Sequence, residues 1–504
     1  MTATWTAAKL QCPRDEDANY DNTTWCNRDL IPTPSERRTF GVWSYLGYWT
    51  VTGSNISAWL VGSTLLKFGL SPQQAIGAVV LGGLFTGLLA VSCGWMGEVH
   101  HIGFTAFWGG QAMRVAIGAL IPGLAHMPNK FDPNSHLQTN DFIGLVLWMC
   151  LYIPGIMIRP EKLQIGFFVC FVLFCCSCLG LLIWTISLVG GAGSMFHEPA
   201  TTSDVGWPFM FGLTSVLGAW GGGTLGQSDW TRYSSRRYAP ILSQLLASPI
   251  TISVTAIIGI LVTSAARDLL GGDLQWSPIF LLASIQEHYN SSPAARAGVF
   301  FASAGFVCSQ LSISLVLDAM SCGMDLAGLW PKYINIRRGA YLMTILGLAT
   351  QPWQLLATAT KFLMVMSGFG VFIAPACGIL LADYHVIRRR KLNLQDLYTG
   401  DDSSIYWFHH GFNWRAFVAF FAGVGPLLPG LVGKVNGDES EALTGWIRLY
   451  NLAFLAGLCI SFVVFWLLNF LVPVTGLGDD TPFYPESDKT PRGGSTELQN
   501  SRSL

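Results

Sequence analysis

Charge is scarce in this chain: Asp, Glu, Lys and Arg make up only 12% of its 504 residues, and the formal net charge is −1. That excludes the basic footprint with which a nucleic-acid binder neutralises phosphates, and it falls well below the roughly 25% charged residues of a soluble domain. Catalytic signatures are missing too. The histidines form no H-E-x-x-H pair, and neither a phosphate-binding P-loop nor a nucleophile elbow is present. The cysteines show no metal-ligand spacing, and Cys170, Cys175, Cys176 and Cys178 sit in apolar runs as small packing residues. No enzyme, metal site or cofactor is expected. Residues 1–40 are polar and lack the apolar core of a secretory signal.

Apolar residues fill the space left by charge, at 51% of the chain with 19 Trp and a mean hydropathy of +0.43. A spanning helix needs about 20 mostly apolar residues. Runs of that kind fall at 41–68, 71–96, 102–124, 142–158, 163–190, 206–225, 240–265, 297–322, 339–356, 360–383, 414–433 and 445–472, which predicts an all-α polytopic membrane protein of about twelve spans. Basic residues give an independent check, because short cytoplasmic loops hold the excess of Lys and Arg. Arg37 and Arg38 precede span one, and Arg159 and Lys162 follow span four. Arg232, Arg236 and Arg237 follow six; Lys332, Arg337 and Arg338 follow eight; Arg388 to Lys391 follow ten. All fall on one side, so both termini are expected in the cytoplasm. The expected organisation is a cytoplasmic tail (1–40), a transmembrane domain (41–473) and a disordered cytoplasmic tail (474–504) rich in Asp, Ser, Thr, Pro and Gly.

Two spans look interrupted. Gly53, Ser54 and Asn55 cut the middle of span one, and Gly221, Gly222 and Gly223 are read as cutting span six before Gln227 and Asp229. In hydrocarbon a freed backbone group is tolerated only against protein, water or a ligand, and transporters place substrates at such breaks. Breaks five spans apart fit an inverted five-plus-five repeat with two further helices. Span eight carries Ser309, Ser312, Ser314 and Asp318. At α-helical spacing Ser314 and Asp318 are i, i+4 and share a face. An intramembrane carboxylate costs about 2.5–3.5 kcal/mol at the helix centre even on the lenient insertion scale, and so marks a functional site.

Several words then point to one family: NRDLIPTP (Asn27–Pro34), NISAW (Asn55–Trp59), GQSDWTRY (Gly226–Tyr233), GMDLAGLWPKYINIRRG (Gly323–Gly339), PW (Pro352, Trp353) and NWRAF (Asn413–Phe417). From about Asn27 to Pro473 the chain resembles the fungal nucleobase:cation symporters, the purine, pyrimidine and allantoin permeases. GQSDWTRY, SQLS (Ser309–Ser312) and GMDLAGL look more like the thiamine and nicotinamide-riboside transporters. The resemblance implies a LeuT-like bundle in the plasma membrane that imports a small nitrogen heterocycle with a cation.

On that resemblance Trp220 matches a ring-stacking position, and Asp318 stands where base transporters carry a substrate-binding Asn. Gln227 and Asn55 complete the expected substrate contacts, and Asn55 is also expected to hydrogen-bond backbone freed by the span-one break. Ser309, Ser312 and Asp318 are expected to couple the cation. Ile313 replaces a hydroxyl of the sodium-coupled members, which favours a proton. Asp229 and Arg232 are expected to form a gate, and Asp325 to anchor a helix end or loop. A uracil, uridine or allantoin permease is the alternative within the class. The resemblance also implies a block of about thirty further residues, more than one spanning helix, between Thr105 and Ala106. Span three is therefore expected to be truncated, which keeps open a non-transporting receptor or an inactive paralogue.

Overall fold

Without water in the bilayer core, every backbone group must be satisfied within the chain, and long apolar runs meet that demand as helices. A computed structural model describes residues 11–12, 25, 27, 29–31, 33, 38–94, 104–125, 127–132, 135–158, 164–236, 238–355, 358–437 and 440–477. The expected disordered tail beyond residue 477, most of the first tail, Arg37, Arg159, Lys162 and Arg237 lie outside the described residues. The principal helices are α1 (Val42–Gly53), α2 (Ile56–Lys67), α3 (Pro72–Cys93), α4 (Phe104–Leu120), α5 (Thr139–Gly155), α6 (Gln164–Val189), α7 (Gly206–Leu225), α8 (Gln227–Thr231) and α9 (Ala239–Leu269). They continue as α10 (Pro278–His288), α11 (Pro293–Ile313), α12 (Cys322–Leu329), α13 (Ile336–Ala349), α14 (Ala359–Leu381), α15 (Trp414–Val424), α16 (Leu428–Asn436), α17 (Glu441–Asn451) and α18 (Ala453–Leu471).

A helix stands at each of the twelve expected segments. Among the described residues, seven helical runs are long and apolar enough to cross a membrane. Of the other five, span one is split into α1 and α2, α4 and α5 have 17 residues each, α13 has 14, and α7 is long enough at 20 residues but less apolar. Span eight is longer than expected, running from Pro293 to Leu329 through a π-helical stretch at Ser314–Ser321. Span twelve is shorter. Its expected first residues form the separate helix α17, and the apolar helix begins at Ala453.

Small residues let these helices approach. Gly83 and Gly87, spaced G-x-x-x-G on α3, lie against Pro249 of α9; a Cβ on Gly87 would stand 3.0 Å from the Pro249 ring. The same logic corrects the expected break of span six. Gly221, Gly222 and Gly223 continue α7 as helix, and the interruption comes at Gly226. A glycine costs a helix only about 1 kcal/mol, and here the bare backbone admits neighbours. A Cβ on Gly221 would stand 3.0 Å from Phe454, and one on Gly218 would overlap the Met366 carbonyl oxygen of α14. Gly218→Ala is therefore expected to lose roughly 1–3 kcal/mol by overpacking against backbone that cannot rotate away. Thermal unfolding of purified protein checks this, and an unchanged midpoint would contradict the close approach.

Candidate functional site

The break in span one organises the centre of the bundle. Asn55 is extended (φ −150°, ψ 173°) and caps α2, its Oδ1 accepting from Ala58 N at 3.1 Å. Its Nδ2 turns back and donates to Thr52 O at 2.5 Å. Trp220 of α7 donates its indole N–H to the same carbonyl at 3.0 Å, and Ser309 of α11 donates its hydroxyl to Ser54 O at 2.8 Å. Spans one, six and eight thus meet on the carbonyls freed between Thr52 and Asn55. The geometry places three expected site residues together. Asn55 hydrogen-bonds backbone freed by the break, as expected of it, and its amide is spent on backbone at both ends. Ser312 does not join them: its hydroxyl bonds back to Cys308 O at 3.1 Å, within its own helix.

A second convergence lies at the span-six hinge. Gly222, Gly223, Gly226, Asp229, Leu317, Ser321 and Asp325 line a cavity of about 10 Å³, room for about one water. Asp229 and Asp325 are both buried, so Asp325 contributes to this lining as well as to the first turn of α12. Ser321 accepts from Trp230 Nε1 at 3.0 Å and donates to Val316 O five residues back, a bond of π-helical reach. That stretch alters the face of span eight. Leu317 looks toward Gly223, while the half-buried Asp318 lies within electrostatic reach of the Tyr152 hydroxyl on α5. Tyr152 in turn stacks on Trp148, with ring centroids 4.9 Å apart and planes 17° from parallel. A strict 3.6-residue period could not foresee the change of phase.

Beyond the hinge, Phe40, Tyr45, Tyr48, Trp230 and Tyr233 form a buried aromatic plug. Tyr48 and Trp230 are 5.0 Å apart between centroids, and Tyr45 donates to Trp230 O at 3.0 Å. Outside the plug a strap closes this end. Asn27 Nδ2 donates to Pro331 O and Ile334 O at 3.0 and 3.1 Å, and its Oδ1 accepts from Asp29 N and Leu30 N. Asp29 accepts from Ile336 N, and Leu30 O accepts from Tyr398. Arg232 donates to Ile31 O at 2.8 Å and to Thr33 Oγ1 at 3.0 Å. The loops after spans six, eight and ten, which carry the basic clusters, are thereby tied together at one end. Neither the plug nor the strap is legible as a site in the sequence, although the words NRDLIPTP and GQSDWTRY carry parts of both. Gln227, at the start of α8, is fully buried with both amide atoms unpaired among the described residues. Thr105 and Ala106 lie within α4; residues 95–103 before them lie outside the described residues.

Comparison with known proteins agrees with this architecture. The family model described as "Permease for cytosine/purines, uracil, thiamine, allantoin" matches residues 32–107 and 101–457, two pieces that overlap at residues 101–107. The transporter aclS of Aspergillus oryzae is 30% identical over 91% of this chain and 88% of its own length. The allantoin permease of Saccharomyces cerevisiae is 30% identical over 89% of this chain and 76% of its own. Among solved structures, the nucleobase-cation-symport-1 family transporter Mhp1, closed with bromovinylhydantoin bound, superposes with a TM-score of 0.62 at 17% identity. That match covers 92% of this chain and 98% of Mhp1, and at such identity it shows the LeuT-like fold alone.

Proposed function

Because the chain belongs to the family of permeases for cytosine/purines, uracil, thiamine and allantoin, and is thus a multi-pass secondary transporter of small heterocycles rather than an enzyme, we propose the finer reading of a proton-coupled importer for a planar ring of the thiamine or nicotinamide-riboside kind. The observation that carries it is the meeting of Trp220 and Ser309 on the carbonyls of the span-one break. Trp220 offers a stacking face there, worth about 1–3 kcal/mol per ring by analogy with base stacking, with a further contribution if the ring is cationic. Proton coupling is favoured because Ile313 stands where sodium-coupled members carry a second hydroxyl, which removes a hard oxygen ligand for a metal cation. Asp318 is the proposed proton carrier, and Gln227 a ring-edge contact. Asn55 acts indirectly, holding the break in shape for the substrate.

The basic end faces the cytoplasm in this reading, by the excess of Lys and Arg in its loops, with both termini on that side and the plasma membrane as the location. Asp229 and Arg232 belong to the gate at this end, with Arg232 as the latch of the strap. Arg232→Ala removes two hydrogen bonds from a cationic donor, a change of about tenfold or more in how often the strap lifts. Limited proteolysis of inside-out vesicles is expected to cleave near residues 28–38 correspondingly faster; equal rates would sink the latch.

Uptake of labelled uracil, allantoin, thiamine and nicotinamide riboside into cells deficient in their own permeases tests the reading. Saturable, acid-stimulated uptake of one of them supports it, and its absence despite surface expression rejects it. A second reading, an altered or inactive protein, is favoured by one observation: the family model breaks into two pieces at residues 101–107. Transcript sequencing across codons 95–120 is expected to reveal an additional in-frame block, which would restore the span-three contacts. A transcript with the short junction would favour the altered protein.

A further inference from the structure

Three helices meet at Gly94, just past the end of α3, and leave polar side chains unmet. The Gly94 carbonyl accepts from Thr231 Oγ1 of α8 at 2.7 Å. A Cβ on Gly94 would stand 3.0 Å from Gln244 Nε2 of α9 and 3.2 Å from Gln227 Cγ of α8, so the amide of Gln244 and the stem of Gln227 both pack on its bare face. Gln227 is 0% and Gln244 1% exposed. Both amide atoms of Gln227 and the Nε2 of Gln244 lack a hydrogen-bond partner among the described residues. Apolar residues would pack such a position at no cost, whereas buried amides without partners are destabilising. Their presence calls for a polar occupant in some step of the cycle. The position fits that role: Gln227 follows Trp220 by seven residues, about 10 Å at 1.5 Å per residue, and lies past the Gly226 hinge toward the basic end.

We propose that Gln227 and Gln244 form an inner subsite that takes the edge of the heterocycle as it leaves the span-one break, an inference that rests on the importer reading above. The ligand chemistry follows from the donors. Gln227 offers one carbonyl and one amino group, and Gln244 adds an amino group, so the matching edge carries an acceptor beside an N–H donor, as in a lactam, a carboxamide or an aminopyrimidine. The pair is neutral and reads that edge regardless of the charge on the ring. A Cβ on Gly94 would crowd the Gln244 amide and the Gln227 stem, so the bare glycine is what lets both side chains reach this position.

The full chain reconstituted in liposomes tests this, using whichever of the four labelled compounds it transports and the N-methylated analogue of that compound. Gln244→Met removes the amide at similar volume. It is expected to raise the half-saturating concentration at the basic-end face by about tenfold, as the loss of one or two hydrogen bonds does. The opposite face should change less than about twofold, and discrimination against the N-methyl analogue should vanish only at the basic end. Unchanged affinity and discrimination at that face, or equal loss at both faces, would overturn the subsite. If Gln244→Met fails to fold, Gln244→Asn, which keeps the amide but withdraws it, carries the same comparison. Wild-type protein that transports none of the four compounds overturns the importer reading itself; wild-type transport without the asymmetry overturns only the subsite.

Discussion

Trp220→Ala is expected to bring uptake down to background in cells that still display the protein at the surface. Two losses act together. Removing the ring deletes a stacking face worth about 1–3 kcal/mol. Removing the indole N–H leaves the Thr52 carbonyl with only the Asn55 amide, and loss of a buried hydrogen bond costs about another 1–3 kcal/mol. Together they amount to about thirtyfold or more in apparent affinity. Trp220→Phe separates the two effects, since it keeps a ring but cannot donate. If stacking dominates, Phe retains uptake with affinity reduced about tenfold; if the break needs the N–H, Phe fails as Ala does. An Ala variant with unchanged apparent affinity would remove Trp220 from the substrate site and leave it as a brace for span one.

The span-one break was legible because its signals are local. Gly53 precedes two polar residues, and Asn55 is a residue that caps a restarting helix. The end of span six was misread because glycine has two uses in a membrane helix, and only tertiary neighbours decide between them. Phe454, Ile373 and the Met366 carbonyl, all more than 140 positions further along the chain, make Gly218 and Gly221 packing residues. Ser309 reaches the Ser54 carbonyl across the bundle, whereas the back-bond of Ser312 depends on the rotamer its own helix allows, which spacing along the chain does not report. The strap was the least legible feature. Asn27 meets Pro331 and Ile334 across 304 and 307 positions, and no periodicity reports such a pairing. The words NRDLIPTP and KYINIRRG carried its two halves without saying that they touch.

Asp318→Asn carries the other large expectation, because it separates charge from shape. Asp318 sits in the π-helical stretch of span eight, half-buried, within electrostatic reach of Tyr152, whose ring stacks on Trp148. A carboxylate at membrane depth costs about 2.5–3.5 kcal/mol, a burden that a purely structural hydrogen bond could avoid with an amide. Asparagine keeps the size and the carbonyl oxygen but cannot take up or release a proton. If Asp318 carries the coupled proton, the variant is expected either to lose uptake or to lose its dependence on pH. Wild-type uptake should rise as the medium is acidified, and Asp318→Asn should give a level profile with no accumulation against a gradient. Exchange of substrate across the membrane at equal pH should persist in the second case, since the binding site remains. A π-helical turn can shift a side chain between neighbours with little change in the rest of the helix, which would let Asp318 meet different sides of the membrane in turn. Uptake like that of the wild type at every pH would assign Asp318 to the packing of span eight against span four, and the search for the proton carrier would move to Asp229 and Asp325 at the span-six hinge.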